Sequence, residues 1–120
     1  MEFRYSQEQE ALRELTARLC GERCDDDFRK RFRRSGVAYD ATLWQALAQA
    51  GVLGTAMAPA HGGSGLGMCE LGLVLEAQGR SLAPVPLLAT LVLGALPLQH
   101  FGTRAQCALL SEVNRGGGRA

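Results

Sequence analysis

The chain has 120 residues, 13 basic and 12 acidic side chains, and a formal net charge of +1. An apolar fraction of 47% at this length supports a buried core and excludes wholesale disorder, and the balanced charge argues against a dedicated nucleic-acid binder. So short a chain cannot hold a two-domain cofactor enzyme, so a likeness to one must concern a piece of it.

Ser6-Gln7-Glu8-Gln9 has the Ser-x-x-Gln form of a capping box, and Leu12, Leu15 and Leu19 recur at helical spacing behind it. The first predicted helix therefore runs from about Gln7 to Cys20, with Gly21 as its stop. Asp25-Asp26-Asp27 then precedes a run, residues 28–34, in which five of seven side chains are basic and Phe28 and Phe32 are interleaved. A nucleic-acid or acidic-lipid patch is one reading. Beyond residue 34 the chain adds only four arginines against four acids, so the preferred reading is a solvated helix whose aspartates complement its dipole.

Asp40 is a predicted N-cap for a short helix with Leu43, Trp44, Leu47 and Ala50 on its apolar face, ending at Gly51. Four glycines among residues 62–67 predict a loop with unusual dihedrals or close backbone approach. A further helix from Met68 to Gly79 is marked by Leu71, Val74, Leu75 and Gln78, with Gly72 expected to allow close helix packing. Residues 84–99 read as a helix apolar almost all round, hence central. Thr103-Arg104-Ala105-Gln106 opens a last helix with Leu109, Leu110 and Val113 inward, and Gly116-Gly117-Gly118 ends it. With no hairpin signal, the predicted fold is all-α: an orthogonal or up-down bundle of about five to six helices without a sheet.

No charge occurs between Ser81 and Thr103, but Pro97 interrupts the stretch. Its uninterrupted part, 87–96, spans about 15 Å, half a bilayer core, so a membrane span is not expected. The N-terminus has no basic segment leading into an apolar one, which predicts a cytoplasmic protein with Cys20, Cys24, Cys69 and Cys107 as reduced thiols. Cys20 and Cys24 share a helical face, yet no His or further Cys completes a four-ligand set nearby, so no metal site is expected.

Catalytic groups are equally absent from the pattern. His61 and His100 lack an adjacent nucleophile signature, and Glu70 and Glu76, six apart, point to different helix faces. Gly62-Gly63-Ser64-Gly65 is neither a Walker motif nor a nucleophile elbow, and no strand precedes it.

Taken in order, several motifs are similar to the N-terminal helical domain of the acyl-CoA dehydrogenase family. They are Phe3-x-x-Ser6-x-Glu8-Gln9-x-x-Leu12 with Arg18 and Glu22, then Tyr39-Asp40-x-x-Leu43-Trp44-x-x-Leu47-x-x-x-Gly51-x-Leu53-Gly54. Pro59-x-x-Gly62-Gly63-Ser64-Gly65-Leu66-Gly67 follows, with Glu70, Leu75-Glu76-x-x-Gly79-Arg80 and Phe101-Gly102-Thr103-x-x-Gln106 behind it. The Leu82-Ala83-Pro84-x-Pro86 stretch resembles a bacterial subgroup that includes sterol degraders.

The resemblance implies a helical domain over residues 1–115, with a Gly-rich tail, 116–120, where a β-domain would begin. In the family FAD lies mainly between the β-domain and a C-terminal helical domain, and a glutamate of the latter removes the acyl α-proton while the flavin accepts the β-hydride. The resemblance therefore implies FAD in the full-length enzyme, none for this chain alone, and no catalytic residue here. It implies an acyl-CoA substrate from fatty acid or sterol degradation, the remaining enzyme domains as partners, and a homo- or hetero-oligomer without nucleic acid. The helical domain helps wall the acyl pocket, and Leu87, Thr90, Leu91 and Gly94 on the most apolar segment are its expected contributors here. The alternatives are a stand-alone helical interaction module or a truncated non-catalytic paralogue pairing with a full subunit. A helix-turn-helix regulator is disfavoured, because the helices after Gly54 offer no polar reading face.

Overall fold

The computed structural model describes residues 5–115. It contains six α-helices, a single 3-10 turn and one π-helical segment, with no strand among the described residues. The Gly116–Gly118 stop and the motif residue Phe3 lie outside them. The domain is flat, 42 × 39 × 20 Å.

Helix α1 (Gln7–Arg23) starts in the predicted reciprocal capping box between Ser6 and Gln9. It runs through Gly21 instead of stopping there, and its cap is the Cys24 N–H donating to the Cys20 carbonyl at 3.0 Å. Leu12, Leu15 and Leu19 are only half-buried, while Thr16, Cys20 and Cys24 are sealed in the core. The Thr16 hydroxyl is satisfied by the Leu12 carbonyl at 2.9 Å, which is how a polar side chain is tolerated there.

Helix α2 (Asp26–Ser35) is the solvated helix of the preferred reading. Asp25 caps it, Asp26 and Asp27 sit in the first turn, Arg33 and Arg34 in the last, and Gly36 closes it at φ 73°. Three of its residues are structural. Phe28 and Phe32 stack at 5.9 Å on the inner face, and Arg29 Nη1 donates to the carbonyls of Cys24 (2.7 Å) and Ser81 (3.1 Å).

Helix α3 (Ala41–Gln49) buries Leu43, Trp44 and Leu47, whereas Ala50, at its C-cap, is exposed. Asp40 caps it and is itself buried. Its carboxylate accepts from the Leu43 N–H at 3.4 Å, from Arg23 Nη2 at 3.0 Å and from Arg23 Nε, while its own N–H donates to the Pro84 carbonyl at 2.8 Å. One residue thereby joins the end of α1, the start of α3 and the strap 82–87.

Helix α4 (Met68–Ser81) packs along α1 and buries Leu71, Leu73, Val74 and Ala77. Gly72 does not mediate helix packing. A Cβ there would meet nothing within 4 Å, because the residue lies on the solvent side. The ends of α1 and α4 are also tied: Gln9 Nε2 donates to Glu70 at 3.1 Å, and Glu70 accepts the Gly67 N–H at 3.0 Å. These bonds hold the Glu70 carboxyl below its ordinary range, the Gln9 bond most of all.

After the strap, chain 88–101 forms the π-helical segment (Leu88–Ala95) and α5 (Leu96–Phe101), and α6 (Arg104–Asn114) packs on α5 under the predicted Thr103 box. Leu110 and Val113 are buried, but Leu109 is 51% exposed, since adjacent helical residues point about 100° apart and cannot share one inward face. The segment predicted to be central is likewise one-sided: Leu88 and Leu93 face out.

Two outcomes test this packing. Arg23→Ala leaves the Asp40 carboxylate buried without its cation and should lower unfolding free energy by about 2 kcal/mol in urea titration. Gly72→Ala should raise stability by about 0.5–1 kcal/mol, whereas Gly63→Ala, whose Cβ would overlap the Met57 carbonyl, should cost at least about 2 kcal/mol by thermal melts.

Candidate functional site

The glycine loop is shaped by packing against its own domain. The N–H groups of Ser64, Gly65 and Leu66 donate to the carbonyls of Gly54 (2.9 Å), Met57 (2.8 Å) and Thr55 (2.9 Å), and Gly63 donates to Ala58 (3.2 Å). Asn114 Nδ2 reaches from α6 to the Gly62 carbonyl at 2.6 Å, and Gln99 accepts the Ala58 N–H at 2.7 Å. Gly62 and Gly65 take left-handed φ values of 81° and 68°. Because these donors are spent inside the fold, the loop does not fit the role of a pyrophosphate cradle for a dinucleotide.

The carboxylates and histidines are dispersed. Glu70 is a helix cap, Glu76 pairs with Arg80 at 2.9 Å along its own helix, His61 ends the 3-10 turn Pro59–His61, and His100 is exposed. No group of three or more His, Cys, Asp or Glu side chains converges among the described residues. A groove of about 230 Å³ between α1 and α4 is lined by Arg13, Glu14, Ala17, Glu76, Ala77 and Arg80, with Arg13 and Arg80 each engaged by a glutamate on its own helix.

All four cysteines are free thiols. Burial pushes Cys20 up to about 11, with neighbouring Cys24 adding to the rise, and burial likewise raises Cys24. Cys69 is exposed, while the Cys107 thiol donates to the Leu98 carbonyl at 3.2 Å.

The apolar segment 87–96 is the distinctive surface. It begins with ordinary winding, the Thr90 N–H donating to the Pro86 carbonyl at 3.0 Å. It then widens over the whole of Leu88–Ala95, the Leu96 N–H reaching the Leu91 carbonyl five residues back, and α-helical winding resumes with α5 at Leu96. The expected wall residues Leu87, Thr90, Leu91 and Gly94 follow α-helical spacing, in which Gly94 stands two turns above Leu87. By position 95 the wider winding has shifted the inward register by one place. Leu87, Thr90 and Leu91 share the inner face, but Ala95 takes the next inward place, and Gly94 sits half-exposed beside Leu93. Sequence periodicity contained no signal of this change except Pro97, whose consequence it did not resolve.

Behind that inner face lies a cleft lined by Leu53, Ala56, Met57, Leu71, Leu91, Ala95, Leu96 and Gln99, with about 10 Å³ of free space, the limit for a single water. It cannot take an acyl tail. The outer face is open: Leu88 is 55% exposed and Leu93 67%. Thr90 is distinctive in another way. Its buried Oγ1 has no hydrogen-bond partner among the described residues, whereas the buried hydroxyls of Thr16 and Thr55 are both bonded to carbonyls one turn back. No helix among the described residues is long and apolar enough to cross a membrane.

Residues 6–115 match the family described as acyl-CoA dehydrogenase, N-terminal domain. The chain is 32% identical over 103 residues to acyl-CoA dehydrogenase FadE27 of Mycobacterium tuberculosis, covering 86% of this chain and 28% of that protein. It superposes on a variant of the Tcur3481–Tcur3483 steroid ACAD with a TM-score of 0.89 and 40% identity, covering 94% of this chain and 31% of that one. On the ChsE4–ChsE5 complex from Mycobacterium tuberculosis the TM-score is 0.90 at 29% identity, covering 99% of this chain and 33% of that one. The chain thus spans about a third of the length of these relatives.

The thiols supply the test of this geometry. At neutral pH, native protein should label rapidly at Cys69 and resist labelling at Cys20 and Cys24 until unfolded, as mass spectrometry of alkylated peptides would report. A folded thiol pKa above the unfolded one contributes stability that is present below about pH 8.5 and lost as pH rises toward 11, so thermal stability should fall across that alkaline window.

Proposed function

Because the chain belongs to the acyl-CoA dehydrogenase family, as its N-terminal helical domain, we propose that it serves the FAD-dependent α,β-dehydrogenation of an acyl-CoA thioester by forming one wall of the acyl pocket. The observation that carries this reading is the exposed apolar face of segment 88–95, whose Leu88 and Leu93 stand out from a soluble surface on a helix of irregular winding. Leu87, Thr90 and Leu91 back this wall from the core, and Gly94 lies half-exposed at its edge.

The wall is apolar and suits a fatty or polycyclic acyl tail. The relatives point the same way: one superposed structure is described as a steroid ACAD. The proton abstraction and the flavin are assigned to parts of the enzyme outside residues 6–115, since the glycine loop has no free donors for a pyrophosphate and Glu70 and Glu76 are engaged as cap and ion pair. Residues 1–115 are read as the helical domain and 116–120 as its link toward a β-domain. Partner domains and a homo- or hetero-oligomer would cover exposed apolar side chains such as Leu93 and Phe101, and two superposed relatives are described as two-component assemblies. Four free thiols agree with a cytoplasmic setting.

Leu93→Trp tests the wall. In the enzyme carrying this domain it should lower kcat/KM for a polycyclic acyl-CoA at least tenfold and spare a short straight-chain one, with the melting temperature little changed because Leu93 is mostly exposed. Equal effects on both substrates, or none, would sink the assignment.

A further inference from the structure

We propose that Pro97 is a positioning residue that keeps Leu88–Ala95 in its π-helical winding and so selects which side chains form the wall; this rests on the reading of that face as the acyl wall.

The wide winding runs right up to Pro97. All of Leu88–Ala95 is π-helical, and its closing five-residue bond, from Leu96 to Leu91, stands immediately ahead of Pro97. In an α-helix Pro97 would have no N–H to give the Leu93 carbonyl, and its ring would press against that same carbonyl. A wider turn displaces the Leu93 carbonyl from beneath the ring and leaves Pro97 at the start of α5, where proline is tolerated.

The consequence is a change of register. With 3.6 residues per turn, position 94 would lie above Leu87 on the inner face and position 95 would rotate away by about 100°. In the structure Ala95 is buried, Gly94 is half-exposed, and Leu96 packs against the core and lines the inner cleft. Relaxing the turn would draw Gly94 inward and expel Ala95, and it would rotate Leu93 across the wall. A one-residue shift thus replaces an edge without a side chain by one carrying a methyl group, on the surface proposed to meet the acyl tail. Pro97 touches neither that tail nor the reacting atoms in this reading; it acts through the backbone of 88–95.

The test is Pro97→Ala in the native enzyme that carries this domain, with Pro97→Leu as the second variant should the first fold poorly. A crystal structure of the variant should show residue 97 donating to the Leu93 carbonyl, four-residue bonding through 88–95, Gly94 inward and Ala95 outward. The ratio of kcat/KM between a polycyclic and a short straight-chain acyl-CoA should shift at least tenfold, mainly through KM, while the melting temperature holds or rises. Persistence of the Leu96–Leu91 bond without the proline would overturn the proposal, and so would a closed turn with an unchanged substrate ratio. Leu93→Trp keeps the two readings apart: if it leaves tail preference untouched, the wall assignment fails, while the winding is still decided by the structure of the proline variant.

Discussion

Asp40 is a buried carboxylate whose neighbours are the groups that make burial tolerable. A lone carboxylate moved out of water costs several kcal/mol, and the site offsets this with two guanidinium bonds from Arg23 and the Leu43 N–H. That arrangement exists only if the end of α1, the start of α3 and the strap at Pro84 meet at one point. Arg23 is positioned in turn by Phe28, whose ring centroid lies 5.0 Å from the guanidinium carbon, and Arg29 ties the Cys24 carbonyl at the C-cap of α1 to Ser81 at the end of α4. Of the basic run of α2, Arg29 is thus internal scaffolding, while Lys30, Arg31, Arg33 and Arg34 stay on the exposed side.

From that node the strap delivers the chain into the apolar segment. Gln78 Nε2 donates to the Ala83 carbonyl at 2.7 Å, Leu82 turns at φ 51°, and Val85 and Leu87 enter the core. The strap leads directly into the segment, Pro97 follows it in the first turn of α5, and the eight residues Leu88–Ala95 between them are wound as a π-helix. A surface of this kind differs from a regular helix in which residues it shows, and so in the shape it offers to a ligand or a neighbouring domain.

Much of this architecture was legible in the chain. Both Ser/Thr-x-x-Gln boxes, the Asp40 cap and the aspartates ahead of α2 act over three or four residues, and such local bonds form wherever the helix does. The burial of Leu43, Trp44, Leu47, Leu71 and Val74 followed from periodicity. The failures share a cause. Gly21 read as a stop, Gly72 as a packing position, Leu109 as inward and 84–99 as central, and each outcome depends on what lies opposite in space. Gly72 has nothing against it, and Leu109 lost the inner place to Leu110.

The candidate wall divides along the same line. Its apolar character, its length and its proline were present in the order of residues, as were the motifs that relate the chain to its family. Periodicity could name one face of a regular helix, Leu87, Thr90, Leu91 and Gly94, because it presupposes one hydrogen-bond register. The register itself is a cooperative property: it balances the Pro97 ring against the Leu93 carbonyl, and the seating of Leu96 in the core against that of Gly94. That balance is struck among groups brought together by folding, so the substitution of Ala95 for Gly94 on the inner face became visible only in three dimensions.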